Sequence, residues 1–273
     1  MATCYRHPSR ETGVACSNCG RPICPDCMTT TPVGMRCPEC SKQGTKVMRM
    51  RDMAKVPRVT YTLIAINVVA FLTEQGQFML YGSSIHGRVV EEGWLKRTDI
   101  ATGHQYWRLV SSAFLHESLL HIGFNMYLLY LLGRMLEPAI GSVRFFAIYF
   151  TSLLAGSFGV VFATASASLG ASGAIFGLMG AAVVELRARR ISVMESGIGG
   201  LIVINLIFSF TFANISVGAH IGGLIGGAVA GLAIRTADNH RMQALGLIAC
   251  VLLSAACVAG AIAVAGASGT GIA

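Results

Sequence analysis

From residue 59 onward, long apolar runs alternate with short polar breaks. Seven runs approach the roughly 20 residues that a helix needs to cross the hydrocarbon of a bilayer. They cover about 59–75, 117–136, 143–164, 170–186, 197–213, 216–234 and 243–265. The first, fourth and fifth are short, which glycine-rich helices packed inside a bundle tolerate. The pattern predicts an all-α polytopic membrane protein. Residues 76–116 interrupt it, with Trp94, Leu95, Ile100, Tyr106, Trp107 and Leu109 among Glu91, Glu92, Lys96, Arg97 and Arg108. Trp and Tyr favour the membrane interface, so this segment is expected to be a structured, half-submerged loop.

Composition sharpens the division. The chain is 53% hydrophobic and 12% charged, where a soluble domain carries about a quarter charged residues. Residues 1–58 nevertheless hold 10 of the 21 Lys and Arg and 7 of the 9 Cys. A net charge of +8 first suggests nucleic acid. However, Lys42, Lys46, Arg49, Arg51, Lys55 and Arg58 stand directly before the first apolar run, where an anionic cytoplasmic membrane face would hold them. No nucleic-acid partner is expected, and the lipid bilayer takes its place. Arg187, Arg189 and Arg190 lie in the connection 185–196, and Arg235 and Arg241 in 235–242. The connections near 165–169 and 214–216 carry no Arg or Lys. The expected topology is therefore a multi-pass cell-membrane protein with its N-terminus cytoplasmic and its C-terminus external. The first residues do not read as a signal peptide.

Residues 1–41 carry four pairs with two residues between partners: Cys4/His7, Cys16/Cys19, Cys24/Cys27 and Cys37/Cys40. Such a turn presents two ligands to one tetrahedral zinc ion, and eight ligands make two closed sites. Alternating pairing joins Cys4, His7, Cys24 and Cys27 at one site and Cys16, Cys19, Cys37 and Cys40 at the other. Sequential pairing is the alternative, and spacing does not decide. A disulfide framework would need an oxidising compartment, against which the basic flank argues. Full coordination leaves no position for water, so two structural zinc ions are expected. Residues 1–41 resemble B-box-type zinc fingers, which bind proteins, and the resemblance implies a cytoplasmic protein partner. Residues 42–57 read as a basic linker.

The chemistry centres on Ser172, between Gly170 and Gly173, and on His220, followed by Gly222 and Gly223. By the topology above, both lie near the external starts of their spans at similar depth, about 3–8 Å in. An imidazole beside a serine hydroxyl can take its proton as attack proceeds. Gly173, Gly177 and Gly180 form a small face on the fourth span. On the sixth, Gly218, Gly222, Gly226 and Ala230 form one row, and Gly223, Gly227 and Gly231 another. Such rows allow close helix contact in membranes. His116, His121, Asn125 and the backbone N–H of Ser172 are candidate oxyanion donors, and polar side chains inside a membrane read as functional. His116 to His121 superficially suggests a zinc-protease motif, but its histidines are five apart instead of four. With no acidic residue placed to orient His220, the site reads as a Ser–His dyad. Its imidazole is expected to be held by packing, with Phe176 stacked on the ring. No cofactor is expected for catalysis.

Together these residues resemble the rhomboid intramembrane serine proteases over about residues 58–236. The resemblance rests on Trp107-Arg108, the His116…His121…Asn125 spacing, the Gly133-Arg134…Glu137 break, Gly170-Ala171-Ser172-Gly173, and His220 with its glycines. It implies a six-helix core over 58–236, with a seventh helix and tail over 237–273, and an endopeptidase that cuts transmembrane protein substrates near the external face. By resemblance Ser172 is the nucleophile and His220 the general base, with His121, Asn125 and the Ser172 amide as the oxyanion hole. His116, Gly170, Gly173, Phe176, Trp107 and Arg108 support them. The alternative is a catalytically inactive relative that binds membrane-protein clients. A transporter or channel lacks support, because the acidic residues Glu117 and Glu185 fall at span ends and none lies mid-membrane.

Overall fold

The computed structural model describes residues 2–42, 56–81, 88–163, 166–211 and 216–269. The chain divides into two compact units, Met1–Ala54 and Lys55–Ala273. Most of the basic linker, including Lys46, Arg49, Arg51 and Lys55, lies outside the described residues.

The first unit has two antiparallel two-stranded ribbons: β1 (Ala2–Thr3) with β2 (Glu11–Thr12), and β3 (Thr29–Thr31) with β4 (Gly34–Arg36). A short helix α1 (Pro38–Lys42) follows. Its core is Ile23 and the buried Cys4, Cys16, Cys24, Cys27, Cys37 and Cys40, too little apolar surface to hold so short a chain unaided. Ion pairs Arg6–Glu39 and Arg10–Asp26 clamp its outside. The Tyr5 hydroxyl, which hydrogen-bonds Glu39, and Arg6 beside it hold that carboxyl down at about 2.

The second unit is all-α. Its long helices are α2 (Arg58–Tyr81), α6 (Leu119–Ile140), α7 (Ser142–Ala163), α8 (Ser172–Ala188), α9 (Ile198–Thr211), α10 (Val217–Asn239) and α11 (Gln243–Gly269). All seven expected spans are helices. Among the described residues, four are long and apolar enough to cross a membrane: Leu119–Ile140, Ser142–Ala163, Val217–Asn239 and Gln243–Ala267. Arg58–Thr73 and Ile198–Thr211 are shorter apolar stretches. Large apolar side chains such as Leu72, Leu120, Phe146, Ile207, Val229 and Val251 face outward, as a surface solvated by lipid requires. The protein is an all-α polytopic membrane protein.

α10 is wedged between α7 and α8, and its two small-residue rows face different neighbours. A Cβ on Gly218 would fall 2.3 Å from the Gly159 carbonyl oxygen of α7, and one on Gly222 2.5 Å from that of Ala155. A Cβ on Gly223 or Gly227 would fall 2.0 Å from the Gly173 or Gly177 carbonyl oxygen of α8. Only a hydrogen fits at these four positions, so backbones touch.

The Gly133-Arg134…Glu137 stretch is not a break. α6 runs through it to Ile140 with Pro138 inside. Glu137 turns inward and accepts hydrogen bonds from Val59 N (2.9 Å), Thr60 N (2.8 Å), Thr60 Oγ1 (2.7 Å) and Ser142 Oγ (2.6 Å). The carboxylate thus caps the start of α2, where helix N–H groups lack partners. α2 is also longer than expected, reaching Tyr81 instead of about residue 75.

The loop between α2 and α6 carries α3 (Arg88–Gly93), α4 (Arg97–Ala101) and α5 (Arg108–Ser111). Residues 82–87 lie outside the described residues. Arg108 holds the loop together. Buried, its Nη1 donates to the carbonyls of Glu91 (2.8 Å) and Trp94 (2.9 Å) and pairs with Asp99 at 3.4 Å. Its neighbour Trp107 is exposed. Arg97 fastens the loop to the end of α7 through the carbonyls of Val161 (2.6 Å) and Phe162 (2.9 Å).

Candidate active site

Three helices start at the site. Ser118 and Ser216 are the N-cap residues of α6 and α10, their hydroxyls accepting from the N–H of His121 (3.2 Å) and Ala219 (3.3 Å). These caps set the register that puts His121 and His220 in the first turns. α8 begins at Ser172 itself, two residues later than its apolar run suggests. The delay belongs to Gly170, whose φ of +118° suits glycine. A Cβ there would also meet His121 Nε2 at 2.8 Å.

His220 Nε2 lies 2.8 Å from Ser172 Oγ. The imidazole is buried, and Phe176 stacks on it with ring centroids 4.1 Å apart and planes inclined by 17°. Stacking fixes the ring plane. His121 and Asn125 flank the serine from α6. Asn125 is buried, and His121 Nδ1 and Asn125 Nδ2 have no hydrogen-bond partner among the described residues. Buried polar atoms without partners are costly, and here they belong to residues that line the same cavity as Ser172 and His220, about 720 Å³ in volume. His116 is buried just before α6, its ring edge-on to His121 at 5.0 Å. Burial, with the His121 ring beside it, brings His116 down to about 3, so it stays neutral. Gly173 packs against the Ala219 carbonyl, keeping the starts of α8 and α10 close.

The expectation that packing alone holds His220 needs correction. Ser209 Oγ, on α9, lies 2.5 Å from His220 Nδ1. A signal existed in the sequence. Ser209 lies near the end of one apolar run and His220 near the start of the next, so antiparallel neighbours bring them to one depth.

In the first unit the eight Cys and His residues form two groups: Cys4, His7, Cys24 and Cys27, and Cys16, Cys19, Cys37 and Cys40. This is the alternating arrangement. Within each group the ligand atoms lie within 4.8 Å of one another. His7 Nδ1 is 3.3 Å from Cys24 Sγ and 3.4 Å from Cys27 Sγ, and Cys19 and Cys37 sulfurs are 3.8 Å apart. A tetrahedral zinc site has edges of about 3.6–3.8 Å, so the residues fit such an ion. All seven cysteines are free thiols. The N–H of Cys37 points at Cys16 Sγ (3.3 Å), and that of Cys40 at Cys37 Sγ (3.4 Å). Both groups can hold a metal ion.

Fold and site together define a class: a polytopic membrane protein with a serine–histidine pair near the starts of glycine-packed helices. Comparison gives the family. Residues 103–237 match the family model described as the Rhomboid domain, and through this domain the chain belongs to the rhomboid family. The match begins well after residue 58, where the motif resemblance starts. "Rhomboid protease GluP" of Bacillus subtilis is 34% identical over 181 residues, covering 65% of this chain and 35% of that protein. "RHOMBOID-like protein 6, mitochondrial" of Arabidopsis thaliana is 35% identical over 141 residues, 48% of this chain and 44% of the relative. "Inactive RHOMBOID-like protein 8" of the same plant is 34% identical over 121 residues, 44% of this chain and 34% of the relative. The chain thus spans less than half the length of each of these curated relatives.

Proposed function

We propose that this chain is an intramembrane serine endopeptidase that cleaves transmembrane segments of other proteins near the external face. The observation that carries the reading is the 2.8 Å contact between Ser172 Oγ and His220 Nε2, beside the unpartnered His121 Nδ1 and Asn125 Nδ2. The Ser172 oxygen attacks the scissile carbonyl carbon while His220 Nε2 takes its proton. The negative charge that develops on the carbonyl oxygen is met by His121, Asn125 and the Ser172 N–H. Collapse breaks the C–N bond, and the imidazolium returns its proton to the leaving amine. Water, deprotonated in turn by His220, then hydrolyses the acyl-enzyme. The zinc ions take no part. Each Cys/His group holds one structural zinc, and residues 1–41 serve as a cytoplasmic protein-binding module. Residues 58–236 form the catalytic core and 237–273 an added helix. The bundle sits with the starts of α6, α8 and α10 on the external side and the C-terminus external.

The match to a relative named inactive favours a second reading, in which the chain binds membrane-protein clients without cutting them. Reconstituted wild-type and Ser172→Ala protein, incubated with a transmembrane peptide, separate the two. Cleavage by wild type and none by the variant is expected. No cleavage by either, with the peptide still bound, would establish the client-binding reading.

A further inference from the structure

We infer that Ser209 is a positioning residue that selects the tautomer of His220. The inference rests on the reading of Ser172 and His220 as nucleophile and base. Ser209 stands in the last turn of α9 and is 2% exposed. Its oxygen has two partners: the carbonyl of Asn205 at 2.7 Å and His220 Nδ1 at 2.5 Å. A hydroxyl has one proton to give, and a carbonyl only accepts. The proton of Ser209 therefore goes to the Asn205 carbonyl, and the oxygen faces His220 with lone pairs. Nδ1 must then carry the hydrogen and donate it. A neutral imidazole protonated at Nδ1 has its free lone pair on Nε2, and Nε2 is the atom facing Ser172. The chain of donors thus runs from Ser172 O–H to His220 Nε2, and from His220 Nδ1–H through the Ser209 hydroxyl to the Asn205 carbonyl. In the opposite tautomer, Nε2–H would point at the nucleophile and could not take its proton.

The same contact serves the charged state. When His220 accepts the serine's proton, Nδ1–H becomes a cationic donor and its bond to Ser209 strengthens. A carboxylate would do this more strongly but would bring a charge into the membrane at a high cost. A hydroxyl already satisfied by its own helix brings a dipole and no charge. Ser209 is also among the few inward-facing residues of α9: of its fourteen residues Ile198, Gly199, Asn205 and Ser209 are buried, and the Asn205 amide is satisfied within the helix by Leu201 O at 2.8 Å.

The test uses full-length protein in phosphatidylcholine nanodiscs, as wild type, Ser209→Ala and Ser209→Thr. Nitrogen NMR of ring-labelled histidine, assigned by loss of the His220 signal in His220→Gln, reads which nitrogen carries hydrogen. A serine-reactive phosphonate reads the rate at which Ser172 is labelled. The expected result is an Nδ1–H tautomer in wild type, mixed tautomers in Ser209→Ala with labelling slowed about tenfold, and recovery of both in Ser209→Thr. A wild-type Nε2–H tautomer would overturn the inference even if no variant folds. So would a Ser209→Ala protein that keeps the Nδ1–H tautomer, whatever its labelling rate, because Ser209 then only ties α9 to α10. If wild-type Ser172 is not labelled at all, the catalytic reading fails, and the NMR still decides what Ser209 does to the ring.

Discussion

The contact between α10 and α8 can be tested by adding one carbon. A Cβ built on Gly227 lies 2.0 Å from the carbonyl oxygen of Gly177 and 2.4 Å from its carbonyl carbon and Cα. These are backbone atoms and cannot rotate away. Ordinary Cβ contacts begin near 3.4 Å, so Gly227→Ala must push the helices apart by roughly 1 Å or rotate one on the other. Gly227 is seven residues from His220, two turns or about 10 Å along the same helix, on the side that faces α8. A shift of that size stretches the 2.8 Å Ser172–His220 contact to about 4 Å, past the range of a hydrogen bond. Overpacking of this kind costs about 1–3 kcal/mol of stability, and a 1 Å misplacement of reacting groups costs about a hundredfold in rate. Gly200→Ala is the matched control, because a Cβ on Gly200 meets nothing within 4 Å. The assay is thermal unfolding of purified protein together with phosphonate labelling of Ser172. The reasoning requires a lowered melting temperature and slow labelling for Gly227→Ala, with Gly200→Ala close to wild type. A Gly227→Ala protein that melts and labels like wild type would refute it, since the backbones could then not be in contact.

Two further expectations follow from other parts of the molecule. Glu137→Ala leaves two N–H groups and two hydroxyls without their buried acceptor and should cost about 3 kcal/mol. Glu137→Gln should recover only part of this, because its amide presents donors to donors; thermal melting of the three proteins checks it, and full recovery by Gln would show that the charge is irrelevant. Purified wild type should contain two zinc ions per chain by elemental analysis and Cys16→Ser one, with residues 1–42 becoming protease-sensitive after chelation; zinc-free wild type with a protease-resistant first unit would dismiss the metal's structural role.

The features legible in the sequence were those whose chemistry is improbable in their surroundings. Four Cys/His pairs in 41 residues have little reason to exist apart from metal. The glycine rows of α10 were legible because a four-residue period marks one helix face. Which neighbour each row meets was not, since that depends on the arrangement of α7 and α8. Glu137 was misread for a physical reason. A charged residue followed by proline near the end of an apolar run looks like a helix stop, and nothing local reports that Val59 and Thr60 arrive to use the carboxylate. Ser209 went unseen because a serine in a membrane helix normally bonds its own backbone. It does so here, to Asn205, and only the matching depth of Ser209 and His220 in successive apolar runs hinted at their second contact.

The positions of the charges and of the polar site agree through residues that share nothing. Ser172 is the first residue of α8, His220 the fourth of α10 and His121 the third of α6, so these three helices run in the same direction from the site. The other ends of α8 and α10 carry Arg187, Arg189 and Arg235, where Glu185 pairs with Arg189 (2.6 Å) and Arg235 (3.6 Å). Arg144, near the start of the oppositely directed α7, joins that end through Asp238 at 2.8 Å. These arginines and the nucleophilic serine are thus at opposite ends of one bundle, although Arg97 is fastened to the serine's end through Val161 and Phe162. If positive charge marks the cytoplasmic side, the serine belongs to the external side. It also lies within one turn of the polar stretch 166–171, whose Ser168 pairs with Leu95 of the preceding loop. A hydrolase buried at mid-membrane would have to bring water through about 15 Å of hydrocarbon. On the proposed reading, Ser172 at a helix start and opening on a large cavity would need water to penetrate only about a turn's depth, a depth suited to substrates whose scissile bond can leave a helix near its outer end.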